Sequence, residues 1–453
     1  VTTVMKFGGS CLRDASGIRE LVSIVSGEKR CITVVSALSG VTDSIVHFIS
    51  KRFGEKSIRR FVAQLSEKHL ELLNTLCSSE ISLRYGEEIR QSMRNFERLL
   101  YGVLYTGELT ERMRALLLSF GERLATRIVA AALEEAGLNS IVFDTDRDGI
   151  ITDDSFMNAN ADLKATRHFL GRKLRNALEK RQYPVVTGFF GSNLEGRVTL
   201  LGRNGTDYSA SIVAYAVSAD RLLIWKDVDG FLTADPEIVP SSRLIPEISY
   251  EEASELSYFG ASVLHPKAVE PAKLGGITIS IRNIAHPEKE GTLITSSKSK
   301  AKGVVKSVSC MEGLAIVRVY VSGGGFQSGA ISNLSGYIGK AGVNIISATT
   351  SQTCIAFLIR KEDTEAAVSS LLPLVPGTVD RVERENGVAL ICIVGQGLGE
   401  TKGIAARVFN SIYARGINVG MMSAGASLAA YHFTVRERDL KEAVRAAHEV
   451  FFG

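Results

Sequence analysis

The sequence lacks any closely spaced cysteine pair. Its six cysteines stand at positions 11, 31, 77, 310, 354 and 392, and no C-x-x-C occurs. That spacing excludes a zinc ribbon or a dithiol redox motif and fits reduced thiols in a cytoplasmic or organelle-interior protein. No apolar run reaches membrane-spanning length and no charged-then-apolar leader opens the chain, so no membrane partner is expected. Charge of one sign is scarce too: the net charge is +4, with the basic residues dispersed. Such a mild excess does not argue for nucleic acid but suits small anionic substrates. Two familiar nucleotide loops are missing: there is no G-x-x-x-x-G-K-[ST], and no G-x-G-x-x-G follows the first apolar run.

What is present supports two or three domains: 453 residues, 45% of them hydrophobic, can bury sizeable cores. The chain is organised around its start. Val4 to Cys11 (VMKFGGSC) reads as a short strand entering a glycine turn, with a helix-prone stretch from Asp14 to Ser26. Bare backbone at Gly8 and Gly9, set before a helix N-terminus, can seat a phosphate, and Lys6 is within reach of it. The alternative is a buried strand with a surface lysine.

Cys31 to Val35 is a β-branched run and reads as a buried parallel strand. It ends in Ser36-Ala37-Leu38-Ser39-Gly40-Val41-Thr42-Asp43, small hydroxyl residues where open α/β sheets bind ligands. A helix-capping loop accounts for the same residues. Residues 45–136 are helical in period and contain Leu118 to Arg123 (LSFGER), where Glu122 alone reads as a dipole-matched acid in a first turn. Strands return at 140–143 and 183–191, around a basic helix from Ala161 to Arg181, and residues 191–201 read as a hairpin. The hairpin delivers Gly202 to Ala210 (GRNGTDYSA), a second anion-facing turn before the helix Tyr208 to Ser218. The strand Arg221 to Trp225 leads into Lys226-Asp227-Val228-Asp229-Gly230, which a plain turn also explains. A helix from Tyr250 to Tyr258, the run Phe259 to Pro266 (FGASVLHP), a strand from Ile277 to Arg282 and Gly291 to Ile294 close the domain. Strand and helix alternate throughout, so the expected fold is an open, mostly parallel sheet with helices on both faces. Ser296 to Lys302 (SSKSKAK) reads as a linker.

The remainder holds a repeat. Gly313-Leu314-Ala315, the glycines 323, 325 and 329, and Gly342-Val343-Asn344 recur 74 residues on, as Gly387-Val388-Ala389, the glycines 397, 399 and 403, and Gly416-Ile417-Asn418. Each copy reads strand, glycine loop, helix, turn, strand, strand, helix, a ferredoxin-like module. Two copies fall short of a solenoid and are expected to pair side by side.

Taken together these motifs resemble aspartokinases, amino-acid kinases that carry two C-terminal ACT domains. The match spans the whole chain through KFGGSC (6–11), VVSALSGVTD (34–43), SFGER (119–123), LGRNGTDYSA (201–210), WKDVDG (225–230), TADPE (233–237), FGASVLHP (259–266) and the paired ACT units. The resemblance implies phosphorylation of the β-carboxylate of L-aspartate by ATP with Mg²⁺, the first step toward lysine, threonine and methionine. It implies Lys6 and Asp207 as catalytic residues, and Ser36, Thr42, Glu122, Phe189, Arg203 and Thr206 around aspartate. Arg203 would hold a carboxylate and Glu122 the α-ammonium. Gly8, Gly9, Ser10, Lys226, Asp227, Leu232, Glu237, Ser262 and Val263 fall at ATP positions. No protein ligand binds the metal directly, since Mg²⁺ travels with ATP. The pattern departs on the nucleotide side: Lys226, Glu237, Ser262 and Leu232 replace the usual Thr, Arg, Lys and Tyr. Lys226 is expected to hold the phosphate in place of the lysine that Ser262 replaces.

The ACT units imply feedback by lysine or threonine, with Gly325, Gly329, Asn344, Ile345 and Ser347 as the effector pocket, although these glycines also suit plain tight turns. The second unit, lacking polar residues at 423–430, is expected to be structural and to form a homodimer or higher homo-oligomer. The expected division is a kinase domain over 1–298, a linker over 299–309, and ACT domains over 310–384 and 385–453, the monofunctional form, cytoplasmic or plastid-borne. A kinase of another carboxylate or carbamate on the same fold, or a catalytically weak ligand-sensing protein, are the competing readings.

Overall fold

The computed structural model describes residues 1–261, 263–296, 304–321, 328–375 and 377–453. The chain divides into two compact units: Val1–Gly230, Pro246–Tyr250 and Val263–Ser297 form the first, and Phe231–Ile245, Glu251–Ser262 and Lys298–Gly453 the second.

In the first unit the elements run β1 (Thr3–Phe7), α1 (Ala15–Ser26), β2 (Cys31–Val35), α2 (Val41–Ile49), α3 (Glu55–Leu76), α4 (Ser79–Thr106), α5 (Glu111–Leu118), α6 (Phe120–Glu135), β3 (Ser140–Phe143), α7 (Thr145–Asp148), α8 (Leu163–Glu179), β4 (Tyr183–Thr187), β5 (Phe190–Ser192), β6 (Val198–Leu200), α9 (Gly205–Val217), β7 (Arg221–Lys226) and β8 (Glu247–Ser249). Then come α10 (Tyr250–Tyr258), most of which belongs to the second unit, α11 (Val269–Gly275), β9 (Thr278–Asn283) and β10 (Thr292–Thr295).

Eight strands form one sheet in the order β3-β4-β2-β1-β7-β9-β10-β8, parallel except where β10 meets β9. β1 and β2 are buried along their whole length, as their β-branched composition requires of strands covered on both faces. The expected hairpin is the antiparallel pair β5–β6. Helices start where their caps say. The Asp14 side chain accepts from Gly17 N–H at 3.0 Å to open α1, and Asp162 accepts from Ala165 N–H at 2.9 Å to open α8. One strand, β8, has no counterpart among the sequence expectations, because three residues carry no readable period.

The second unit contains β11 (Ser307–Val321), α12 (Ala330–Lys340), β12 (Ser347–Thr350), β13 (Cys354–Arg360), α13 (Thr364–Leu371), β14 (Val379–Val394), α14 (Ile404–Ala414), β15 (Met422–Ser423), β16 (Ala430–Arg436) and α15 (Leu440–Phe452). The two copies of the repeat join in one antiparallel sheet, β12-β13-β11-β14-β16-β15, through the long central pair β11–β14. Matched glycines hold matched conformations: φ is +68° and +72° at Gly313 and Gly387, +85° and +82° at Gly329 and Gly403, and +76° and +67° at Gly342 and Gly416. Those left-handed turns are what the repeat preserves in its glycines. Most of the expected linker, 297–303, lies outside the described residues. Among the described residues no helix is long and apolar enough to cross a membrane.

Candidate functional site

The site of the first unit lies at the carboxyl ends of its central strands, where open α/β sheets bind ligands. Lys6 pairs in register with Ile224, so Lys226 is two residues further along its neighbour. The two-residue period of a strand sends both lysines to the same face. α9 packs there and presents Asp207 from its first turn. Lys6 Nζ stands 2.7 Å from Asp207 Oδ1, and Lys226 Nζ donates to Oδ2 at 3.0 Å. The first contact is an ion pair lying off the hydrogen-bonding direction; the second is aligned. The backbone N–H of His265 also donates to Oδ2, at 3.2 Å.

Asp207 is 1% exposed and Lys6 5%. Burial alone would raise the Asp207 carboxyl, but the Lys6 and Lys226 ammonium groups outweigh it and hold it at about 2. Burial pushes the Lys226 ammonium down, Asp207 opposing and Lys6 adding to the effect. Two cations on one carboxylate leave a net positive charge beside the end of β1. The Lys6 ammonium lies under the glycine turn: a Cβ on Gly8 would meet Nζ at 3.0 Å.

The turn is less open to a phosphate than the sequence suggests. The Gly8 N–H donates to Trp225 O at 3.4 Å, and a 3-10 turn over Gly9–Leu12 separates it from α1. Gly9 and Ser10 line a cavity of about 580 Å³ together with Ser36, Thr42, Glu122, Phe189, Arg203 and Thr206. All six residues expected around a substrate are therefore in one place. Leu38, Asp43, Leu118, Met157, Leu200 and Asn204 complete much of the wall. Leu38, Asp43, Leu118 and Asn204 belong to the motifs already quoted, whereas Met157 and Leu200 lie outside every motif.

Glu122 sits in the first turn of α6. A Cβ on Gly121 would stand 2.7 Å from the Ala37 Cβ, so glycine lets the helix close on the loop after β2. Glu122 Oε1 accepts the Ala37 N–H at 3.1 Å, while Oε2 is buried without a partner. Burial pushes its carboxyl up to about 8, against the Ala37 N–H, Arg123 and the Ser36 hydroxyl. Arg203 is exposed and makes no ion pair among the described residues. Phe189, at φ +72°, and Asn204, at φ +59°, are held in the left-handed region beside this cavity. The Phe189 N–H donates to the Ser209 hydroxyl at 2.8 Å, and Asn204 caps α9.

On the nucleotide side, Ser10 and Asp227 line a second cavity of about 450 Å³ with Cys11 and Asn283. Val263 is half-buried two residues before His265, and Ser262 lies outside the described residues. Leu232 and Glu237 belong to the second unit. The Leu232 carbonyl accepts the Ser307 hydroxyl at 2.9 Å, and Glu237 is exposed.

Of the expected effector residues, Gly325 is outside the described set. Gly329 caps α12, Asn344 is exposed and Ile345 half-buried. The Ser347 hydroxyl is engaged with His432 Nε2 at 2.9 Å. His432 packs on Phe259 with ring centroids 4.7 Å apart, and burial lowers its imidazole to about 4. The sequence missed His265 as a partner of Asp207. The residue stood inside FGASVLHP, but a backbone donor leaves no trace in side-chain chemistry.

The open parallel sheet and its cation-lined crevice define a kinase of the amino acid kinase family, whose family model matches residues 1–283, with an ACT domain model matching 391–451. Aspartokinase 1, chloroplastic, of Arabidopsis thaliana is 31% identical across all of this chain and 80% of its own length. The chain belongs to the aspartokinase family. Its fold is similar to that of E. coli aspartokinase III in complex with aspartate and ADP, with a TM-score of 0.89, 26% identity and full coverage of both chains. The lysine and aspartate complex of the same enzyme matches with a TM-score of 0.80 at the same identity, again over all of both chains.

Proposed function

We propose that the chain transfers the γ-phosphoryl group of ATP to the β-carboxylate of L-aspartate, giving 4-phospho-L-aspartate and ADP, under feedback control. The observation that carries the reading is the 580 Å³ cavity, with a buried carboxyl, Glu122, one oxygen of which has no hydrogen-bond partner among the described residues, and an exposed guanidinium without an ion pair, Arg203, on its wall. A small amino acid with a second carboxylate complements that pair. Glu122 takes the α-ammonium, Arg203 a carboxylate, and Ser36, Thr42 and Thr206 supply hydroxyl contacts. A carbamate has no ammonium to offer Glu122.

Phosphoryl transfer asks the protein for position and charge. Bringing like unit charges to 4 Å costs about 4 kcal/mol at an effective dielectric of about 20. Lys6 offsets this on the transferring group, and Asp207 aims Lys6 and Lys226. Asp207 already holds two ammonium groups, and among the described residues no cluster of three His, Cys, Asp or Glu could bind a metal. Magnesium bound through the ATP phosphates would add charge neutralisation there.

ATP contacts within the first unit are assigned to Gly9, Ser10, Lys226, Asp227 and Val263. Lysine or threonine is the proposed effector, bound near Gly329, Asn344 and Ile345. The lysine complex of E. coli aspartokinase III supports that reading. A homo-oligomer through the ACT units and a reducing compartment, cytoplasm or plastid, complete it; six free thiols and the chloroplastic relative support the latter.

The test is trapping of the acyl phosphate with hydroxylamine. Hydroxamate should form with L-aspartate and ATP, and far less with glutamate, acetate or carbamate. Equal yields across the panel, or none with aspartate, would overturn the assignment.

A further inference from the structure

We infer that Glu122 is a neutral carboxylic acid in the substrate-free protein, and that capture of an α-ammonium group by it expels one proton to solvent. The inference rests on the substrate reading above and adds the protonation change that binding entails. Its basis is geometric. Glu122 is 2% exposed; one oxygen accepts the Ala37 N–H, the other makes no hydrogen bond among the described residues, and the Ser36 hydroxyl is the weakest of the neighbours that favour the charged form. An ionised carboxylate in such a place carries a desolvation cost with too few partners to offset it.

The surroundings do not supply the missing cation. On α6 itself, Arg123 is engaged with Asp146 at 2.8 Å and lies over the Phe190 ring. The loop after β2 contributes the Ser36 hydroxyl and the Ala37 N–H, and the end of α5 contributes Leu118. The same cavity is lined by Asp43 on α2 and by the exposed Arg203 before α9. Among the described residues no histidine, lysine or cysteine lines the cavity. Burial accordingly raises the group to about 8.

An incoming ammonium group changes the balance. It brings the counter-charge and the donor that the free oxygen lacks, so the carboxylate form becomes the stable one. The O–H bond of Glu122 breaks, its proton passes to water, and an ammonium–carboxylate pair remains. The substrate ammonium keeps its own protons.

Calorimetry of L-aspartate binding to the full chain, run in phosphate and in Tris at the same pH, measures the proton directly. The expected release is most of a proton at about pH 7, falling as the pH rises through about 8. Glu122→Gln, checked for an intact melting transition, should bind aspartate more weakly and release no proton. Binding heats that are the same in both buffers would overturn the inference while leaving the substrate assignment standing. An unchanged release in Glu122→Gln would also overturn it. Absence of any aspartate binding to the parent chain would instead sink the substrate assignment on which the inference rests.

Discussion

Lys226 and Glu122 carry the most pointed consequences at the scale of single residues. Lys226 bonds Asp207 at 3.0 Å, so its ammonium is positioned by the same carboxylate that aims Lys6. Lys226→Ala should raise the KM for ATP at least several-fold with little change in the KM for aspartate; steady-state kinetics with each substrate varied in turn will tell, and an unaltered ATP dependence would remove Lys226 from phosphate binding. Glu122 gives a stability signature. Its pKa is raised from 4.5 to about 8, so its contribution is full below the unfolded value and is lost as pH rises through about 8. Glu122→Gln stays neutral, so the substrate-free variant should melt higher than the parent near about pH 8.5, the gap closing toward about pH 4.5. A gap that widened on acidification would contradict the burial argument. Which residues gather was legible in the sequence where a motif carried them, as at Lys6 with Asp207 and at Glu122 with Arg203. Gly8 was misjudged as an open amide, because strand registry decides that its N–H meets Trp225 O, and registry is a long-range fact.

Among the elements, the close approach of the turn after β4 to the first turn of α9 governs the site. A Cβ on Gly188, just past β4, would stand 2.4 Å from the Thr206 Cγ2 and 3.0 Å from Val35 O. Thr206 is β-branched and held in the first turn of α9, so it cannot swing clear. Gly188→Ala should displace that turn and with it Asp207, lowering kcat at least about tenfold, on the scale of an ångström-sized misplacement, while far-UV circular dichroism stays unchanged. A fully active variant would mean that the turn yields without moving Asp207. Elements with strong period were readable in advance: the buried runs 31–35 and 221–226 are strands, and residues 45–136 are helices α2 to α6. The helix expected from Tyr208 begins three residues sooner, at Gly205, where Asn204 takes the N-cap position in a left-handed conformation without a side-chain capping bond. Capping of that kind depends on backbone angles that side-chain patterns do not encode.

For the whole molecule, the duplicated module gives the second unit one continuous sheet and two cores, one around Val317, Phe357 and Leu371 and the other around Ile391, Phe433 and Val444. The constant 74-residue offset made that duplication visible, because both copies need glycine at the same left-handed turns. What the offset did not reveal is the His432–Ser347 contact between the copies, since it pairs residues at non-equivalent positions of the repeat. With a coupling of about 1–3 kcal/mol, effector binding should shift substrate affinity about 5- to 150-fold. Asn344→Ala should raise the half-inhibitory concentration of lysine or threonine while leaving the uninhibited rate as it was. A titration unaltered by the change would place the effector elsewhere.

The most direct test of the central claim, that an Asp207-held pair of lysines serves a neighbouring aspartate-binding cavity, is ³¹P nuclear magnetic resonance of the protein with Mg-ATP and L-aspartate. The account predicts an acyl-phosphate resonance growing with ADP, dependent on aspartate and abolished in Asp207→Asn. ADP and inorganic phosphate appearing at the same rate with or without aspartate would contradict it.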